Sequence, residues 1–255
     1  MALPTKKTSG KVIAQGIRWL LYGPPKIGKT SLAAGFPNAV FAATEKGYKA
    51  LKVFKVDIKT WDMYKKFVAD ILSDKHDFRT IVVDTADMLF DKCSQYVCDK
   101  LDIEHESEGE WGRGWSEVKK EFLRVNNDLF QSKYGVIFLS HTKSDIITSQ
   151  AEDVAKTVPT LSNQARKILL PLVDTIGLMR YKTIKIRNEK GKLKGTKNKL
   201  VLSFKGTIEV EAGDRTGLLP AELPLEVIPA DRRTPDIVAK YAKKNYERIA
   251  SYYRG

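Results

Sequence analysis

Gly23-Pro24-Pro25-Lys26-Ile27-Gly28-Lys29-Thr30, with Ser31 behind it, reads GPPKIGKT-S and matches G-x-x-x-x-G-K-[ST], the P-loop. Gly23 and Gly28 let the backbone turn tightly and approach a ligand with no Cβ in the way. Successive N–H groups then form a concave anion site at a helix N-terminus. Within this segment Lys29 is the residue for the β- and γ-phosphates, and the Thr30 hydroxyl is the one for Mg²⁺. The flanks agree. Gly16 to Tyr22 (GIRWLLY) is a short apolar run fit for a buried parallel strand, and Ser31-Leu32-Ala33-Ala34 opens a helix that stops near Gly35-Phe36-Pro37.

The remaining chain is built to match. Its 255 residues can bury a sizeable core. No apolar run approaches a membrane span, and the basic N-terminus lacks the apolar core of a secretory signal, so a cytoplasmic protein with no membrane partner is expected. Cys93 and Cys98 lie five apart on different helix faces, with no Cys or His spaced to complete a metal site; they read as reduced thiols. The net charge of +13 asks for an anionic partner larger than one nucleotide, such as nucleic acid. That charge is concentrated: Arg180 to Lys205 holds ten Lys or Arg against one acid, Glu189. Asp102 to Glu110 reverses the sign with five acids.

Strand and helix patterns alternate along the chain. Val40 to Thr44 is a second strand, and Thr60 caps a helix carrying Trp61, Tyr64, Phe67, Val68, Ile71 and Leu72 on one face. Thr80 to Val83 runs into Asp84, and a helix with Phe90, Cys93, Val97 and Leu101 in register follows. Residues 102–115 read as an acidic and Gly-rich loop, Ser116 as the opening of another helix, and Gly135 to Ser140 as a buried strand. Lys143 to Thr160 reads as a polar, mobile loop and Ser162 to Val173 as helical. Thr175–Arg187 and Lys199–Val210 form two strands joined by a Gly/Lys-rich turn, and Thr234-Pro235 starts a terminal helix. The expected fold is α/β: a mainly parallel sheet flanked by helices, closed by an antiparallel basic ribbon and a C-terminal helix. Residues 1–220 would form the nucleotide-binding core, with 1–10 flexible, and 221–255 a linker and helix.

Three residues outside the P-loop carry candidate chemistry. Asp84, delivered by an apolar strand, has the form of a Walker B acid that holds Mg²⁺. Glu45, just past the second strand at the same sheet edge, is the candidate for orienting the attacking water; Asp87, or no base at all, are the alternatives. His141 follows the strand 135–140 and can contact the γ-phosphate.

This order of parts resembles the RecA-like ATPases. GPPKIGKT, Ala43-Thr44-Glu45, Trp111-Gly112-Arg113-Gly114-Trp115 and Glu211-Ala212-Gly213-Asp214-Arg215-Thr216-Gly217 together look like the short, core-only RecA-like ATPases encoded by phages, over about residues 15–220. Some members of that group act in single-strand annealing or recombination. The resemblance implies a RecA-like core, ATP and Mg²⁺ as cofactors, and Lys29, Glu45, Asp84 and His141 as catalytic residues. His141 stands where RecA-type proteins usually carry Gln. It also implies single-stranded DNA as partner, a homo-oligomeric ring or filament, a single-strand-binding protein as a further partner, and action in the host cytoplasm. DNA would meet two loops, with Trp111, Arg113 and Trp115 in one and Lys143, Arg166 and Lys167 near the other. Lys197 and Lys199, with Arg215 as rival, are candidates to reach a neighbouring subunit's nucleotide.

Two other readings compete. Thr142-Lys143-Ser144-Asp145 fits the T-K-x-D form of a guanine-specificity loop, which would make a GTPase switch, although Asp84-Thr85-Ala86-Asp87 lacks the glycine of D-x-x-G. The other is a nucleotide-gated DNA-binding module with little hydrolysis.

Overall fold

In the computed structural model, which describes Thr5 and residues 16–108, 112–148, 153–187, 192–229 and 233–253, the P-loop opens a large mixed sheet. β1 (Arg18–Tyr22), β2 (Ala39–Ala43), β3 (Phe54–Asp57), β4 (Thr80–Asp84), β5 (Gly135–Ser140) and β8 (Thr175–Arg187) run parallel in the order β8-β1-β5-β4-β2-β3. β9 (Leu193–Ser203) pairs antiparallel with β8, and β11 (Glu222–Pro224) with β9. The two-residue β10 (Gly213–Asp214) adds to β8. β6 (Thr142–Thr148) and β7 (Asp153–Pro159) form a separate hairpin.

Strand alternation sorts the core into two layers. Trp19 and Leu21 of β1, Phe41 of β2, Val82 of β4, and Ile137 and Leu139 of β5 face α1 (Lys29–Ala33) and α6 (Pro235–Ala250), meeting Leu32, Phe36, Tyr246 and Ile249. Leu20, Val40, Ile81, Val83, Val136 and Phe138 face the other way. They pack on α2 (Trp61–Leu72), α3 (Ala86–Leu101), α4 (Arg113–Gln131) and α5 (Asn163–Leu169). The caps read from sequence are formed: Thr60 accepts from the Met63 N–H, and Thr234 accepts from the Ile237 N–H with Pro235 opening the helix. Cys93 and Cys98 are both buried and unbonded.

The mainly parallel sheet and the antiparallel ribbon expected from sequence are present, and four local expectations are corrected. Within the expected loop 143–160, residues 143–148 and 153–159 lie in the paired strands β6 and β7; Ile146, Ile147, Val154, Thr157 and Val158 supply the β-branched residues that strands prefer. α4 starts at Arg113 rather than Ser116, because Gly112 takes the left-handed conformation (φ 69°) and caps it. The second ribbon strand spans Leu193–Ser203, earlier than the expected 199–210, in register with β8 through Lys182↔Lys199 and Ile184↔Lys197. α5 ends at Leu169: Leu170 keeps helical dihedrals, but Pro171 has no N–H to continue the helical hydrogen bonds. The short edge strand β3 was not anticipated: Phe54-Lys55-Val56-Asp57 does alternate, but the strand has only four residues and all of them are exposed.

Candidate active site

All the parallel strands end at one edge, and the P-loop, Glu45, Asp84 and His141 each follow a strand there. Gly28, at φ 109°, starts α1 in a conformation that L side chains rarely adopt. Gly23 passes so close to β8 that a Cβ would stand 2.5 Å from the Met179 carbonyl oxygen. These two glycines fix the loop against the sheet.

Lys29 is buried and donates to the carbonyls of Gly23 (2.8 Å) and Pro24 (3.0 Å), with its Nζ 3.3 Å from His141 Nδ1. Burial pushes its ammonium below the ordinary lysine range, against the pull of Asp84, Asp87 and Glu45. Asp84 is also buried. Its Oδ2 accepts from the Thr30 hydroxyl (2.9 Å) and the Tyr48 hydroxyl (2.8 Å), yet burial dominates and raises its carboxyl above the usual range. Asp87 is raised by burial too, while it accepts from Ser140 Oγ (2.8 Å) and the His141 N–H (3.3 Å). Glu45 accepts from Thr85 Oγ1 (3.1 Å) and lies 3.5 Å from His141 Nε2. Lys29, His141, Glu45 and Thr85 thus form one chain of contacts, with Thr30, Asp84 and Tyr48 beside it.

A cavity of about 610 Å³ opens over this group. Pro25, Lys26, Ile27, Gly28, Lys29, Thr30 and Ser31 line it, with Glu45, Asp84 and His141 beside them. Thr30 and Asp84 bring two hard oxygen donors together, the set that suits Mg²⁺ alongside nucleotide oxygens. Among the described residues no cluster of three or more His, Cys, Asp or Glu forms a protein-only metal cage.

Other sequence candidates lie elsewhere. Arg215 sits at the start of β8, the opposite end of the sheet, donating to the Pro171 carbonyl and 3.7 Å from Asp174. Lys197 and Lys199 are exposed on β9. Their partners in register are Ile184 and Lys182, so they share the ribbon face opposite to Met179, Tyr181 and Leu200, which line this chain's own cavity. Arg166 is held by Asp145 (2.7 Å) and Glu211 (2.9 Å), and Lys143 is paired with Asp145, which ties up the carboxylate of the T-K-S-D motif. Lys167 and Arg113 are exposed. Trp115 is helical and half-buried against the core rather than a free stacking surface, and Trp111 lies outside the described residues. Tyr48 was not anticipated. Its signal was an aromatic three residues past Glu45 at the same sheet edge.

A P-loop between a parallel strand and a helix, with an acid from a neighbouring strand bonded to its Thr, defines a P-loop nucleoside-triphosphate-binding protein. Residues 15–216 match the family described as an AAA domain, and the chain belongs to that family. No curated protein matches the chain. Solved structures that it resembles include a KaiC-like protein from Pyrococcus horikoshii OT3, at 13% identity and TM-score 0.41, covering 78% of this chain and 95% of that one. The flagellar accessory protein FlaH from Methanocaldococcus jannaschii is another, at 12% identity and TM-score 0.44, covering 85% and 88%. Both are distant likenesses of backbone arrangement. No helix among the described residues is long and apolar enough to cross a membrane.

Proposed function

We propose that the protein is a RecA-like, Mg²⁺-dependent ATPase that acts on single-stranded DNA as a homo-oligomer, in the manner of the phage annealing and recombination proteins its motifs resemble. The observation that carries this reading is the convergence of Lys29, Thr30, Asp84, Glu45 and His141 on one cavity.

In this reading Lys29 leaves the Gly23 and Pro24 carbonyls to meet the β- and γ-phosphates, where its charge offsets that of the transferring group. Thr30 and Asp84 would hold Mg²⁺, which when bound would supply positive charge to offset that of the phosphates. Glu45 orients the attacking water and accepts its proton. His141, between Glu45 and Lys29, reports the state of the phosphate end to the β6–β7 hairpin, which begins at the next residue. The hairpin and the basic ribbon are the DNA-facing elements. Lys197 and Lys199, on the face turned from their own cavity, reach a neighbouring subunit's nucleotide or the DNA backbone.

Measuring ATP turnover with and without single-stranded DNA, at two salt concentrations, tests the proposal on wild type and Lys29→Ala. DNA should stimulate wild-type turnover, more so at low salt, and the variant should be inactive. Turnover and oligomer size that ignore single-stranded DNA would remove the DNA half of the reading.

A further inference from the structure

The cavity over the P-loop does not end at the phosphate chemistry. It runs on past Met179 and Leu200 to the segment 226–228 and the first turns of α6. At that far end Val227, Ile228, Val238 and Tyr241 form the apolar part of the lining, beside Glu226, Asn245 and the exposed Arg233. Its volume of about 610 Å³ falls within the range of sites that enclose a whole small molecule, ~300–1,000 Å³. The segment 226–228 and α6 come from beyond residue 216, so the family match does not speak for them.

Two anchors hold the walls in place. α6 touches the chain just after α1 backbone to backbone: a Cβ on Gly35 would stand 2.2 Å from the Ala242 carbonyl oxygen. Buried Asn245 ties the segment 226–228 to α6, its Oδ1 accepting from the Glu226 N–H (2.9 Å) and its Nδ2 donating to the Glu226 carbonyl (3.1 Å). The Glu226 carboxylate is paired with Lys244 at 2.6 Å. Tyr241 makes no hydrogen bond or ion pair among the described residues, which leaves its ring and hydroxyl available to a ligand.

We propose that this far end is the nucleoside subsite, with a purine base held against Tyr241, Val238 and Leu200. The proposal rests on the reading of the P-loop end as a triphosphate site. Aromatic and aliphatic walls reward the larger area of a purine over a pyrimidine, and stacking on one aromatic ring strengthens binding about tenfold. The C-terminal segment is then part of the nucleotide site, and the position of α6 is coupled to whether that site is filled.

Titration calorimetry on the full chain with two probes, Mg²⁺-ATP and inorganic tripolyphosphate, separates the two ends. Tyr241→Ala should weaken ATP about tenfold and leave tripolyphosphate unchanged, and Tyr241→Phe should restore ATP binding. CTP should bind wild type more weakly than ATP and lose less on Tyr241→Ala. An unchanged ATP affinity in Tyr241→Ala overturns the proposal. So does an equal loss for both probes, which would mark damage transmitted through Gly35 and Ala242. If wild type binds neither probe, or Lys29→Ala leaves tripolyphosphate binding intact, the triphosphate reading itself has failed.

Discussion

The strand-end rim around Asp84 and the outer half of the β8–β9 ribbon both carry charge, under opposite conditions. At the rim Lys29 and Asp84 are buried and Asp87 is partly buried, each held by two or more partners, and each titration is displaced toward the neutral form. On the ribbon beyond Tyr181 most side chains stand in water, and Lys199 sits directly across from Lys182. Burial makes each rim charge costly and therefore specific in position. Exposure makes each ribbon charge cheap, so only their sum carries information. The difference sets how each region should respond to change.

The largest effect is expected at the rim. Lys29→Ala should lower ATP turnover at least about a hundredfold, because among the described residues no other buried cation lines that cavity. Turnover that survives in that variant would erase the distinction between the regions. The ribbon should respond to number rather than identity. Changing Lys185, Lys197 and Lys199 together to Ala should weaken single-stranded DNA about tenfold at low salt and shrink the salt dependence by about two logarithmic units per decade. Each single change should be nearly silent. A lone substitution with the full effect would mean that the ribbon holds a specific site like that of the rim.

The rim's cost should also be visible in stability. Burial raises Asp84 and Asp87 above an unfolded carboxyl value of about 4, so their favourable contribution is complete below that value and is lost as pH rises through the raised folded value. Nucleotide-free protein should therefore lose thermal stability over that window. Asp84→Asn should flatten the loss and gain about 1 kcal/mol above it while abolishing turnover, as monitored by thermal melts across pH. The smallest effect belongs to Tyr48→Phe. Removing one donor from a buried carboxylate should cost about 1 kcal/mol of stability and change turnover only a few-fold. In an Asp84→Asn background the cost should shrink, and a double-mutant cycle measures the coupling.

The same contrast explains what could be read from sequence. The rim was legible because P-loop chemistry demands particular residues at fixed offsets and because strands β1, β4 and β5 are uninterrupted apolar runs. Tyr48 was missed because nothing in its spacing distinguishes a donor to Asp84 from a surface aromatic. The ribbon was legible as charge, but its register was not: the outer residues of β9 lie in water on both faces, so no apolar alternation marked where the strand begins. The β6–β7 hairpin escaped for a related reason. Its exposed polar residues resemble a loop, while its anchoring is long-range, through Thr157 to Glu209 and Glu211 and through Arg166 to Asp145 and Glu211. Long-range pairing leaves no mark in local sequence.

The contact between Gly35 and Ala242 bears on where this protein can be cut. Leu223, Leu225, Tyr246, Ile249 and Tyr253 lie in the same apolar layer as Trp19 and Phe36, yet all come after the stretch that matches the AAA-domain family. A fragment ending at residue 216 would uncover one side of the sheet, and each lost large side chain would forfeit ~1.5–3 kcal/mol of burial. The stretch that heredity recognises is therefore shorter than the one that chemistry can hold together.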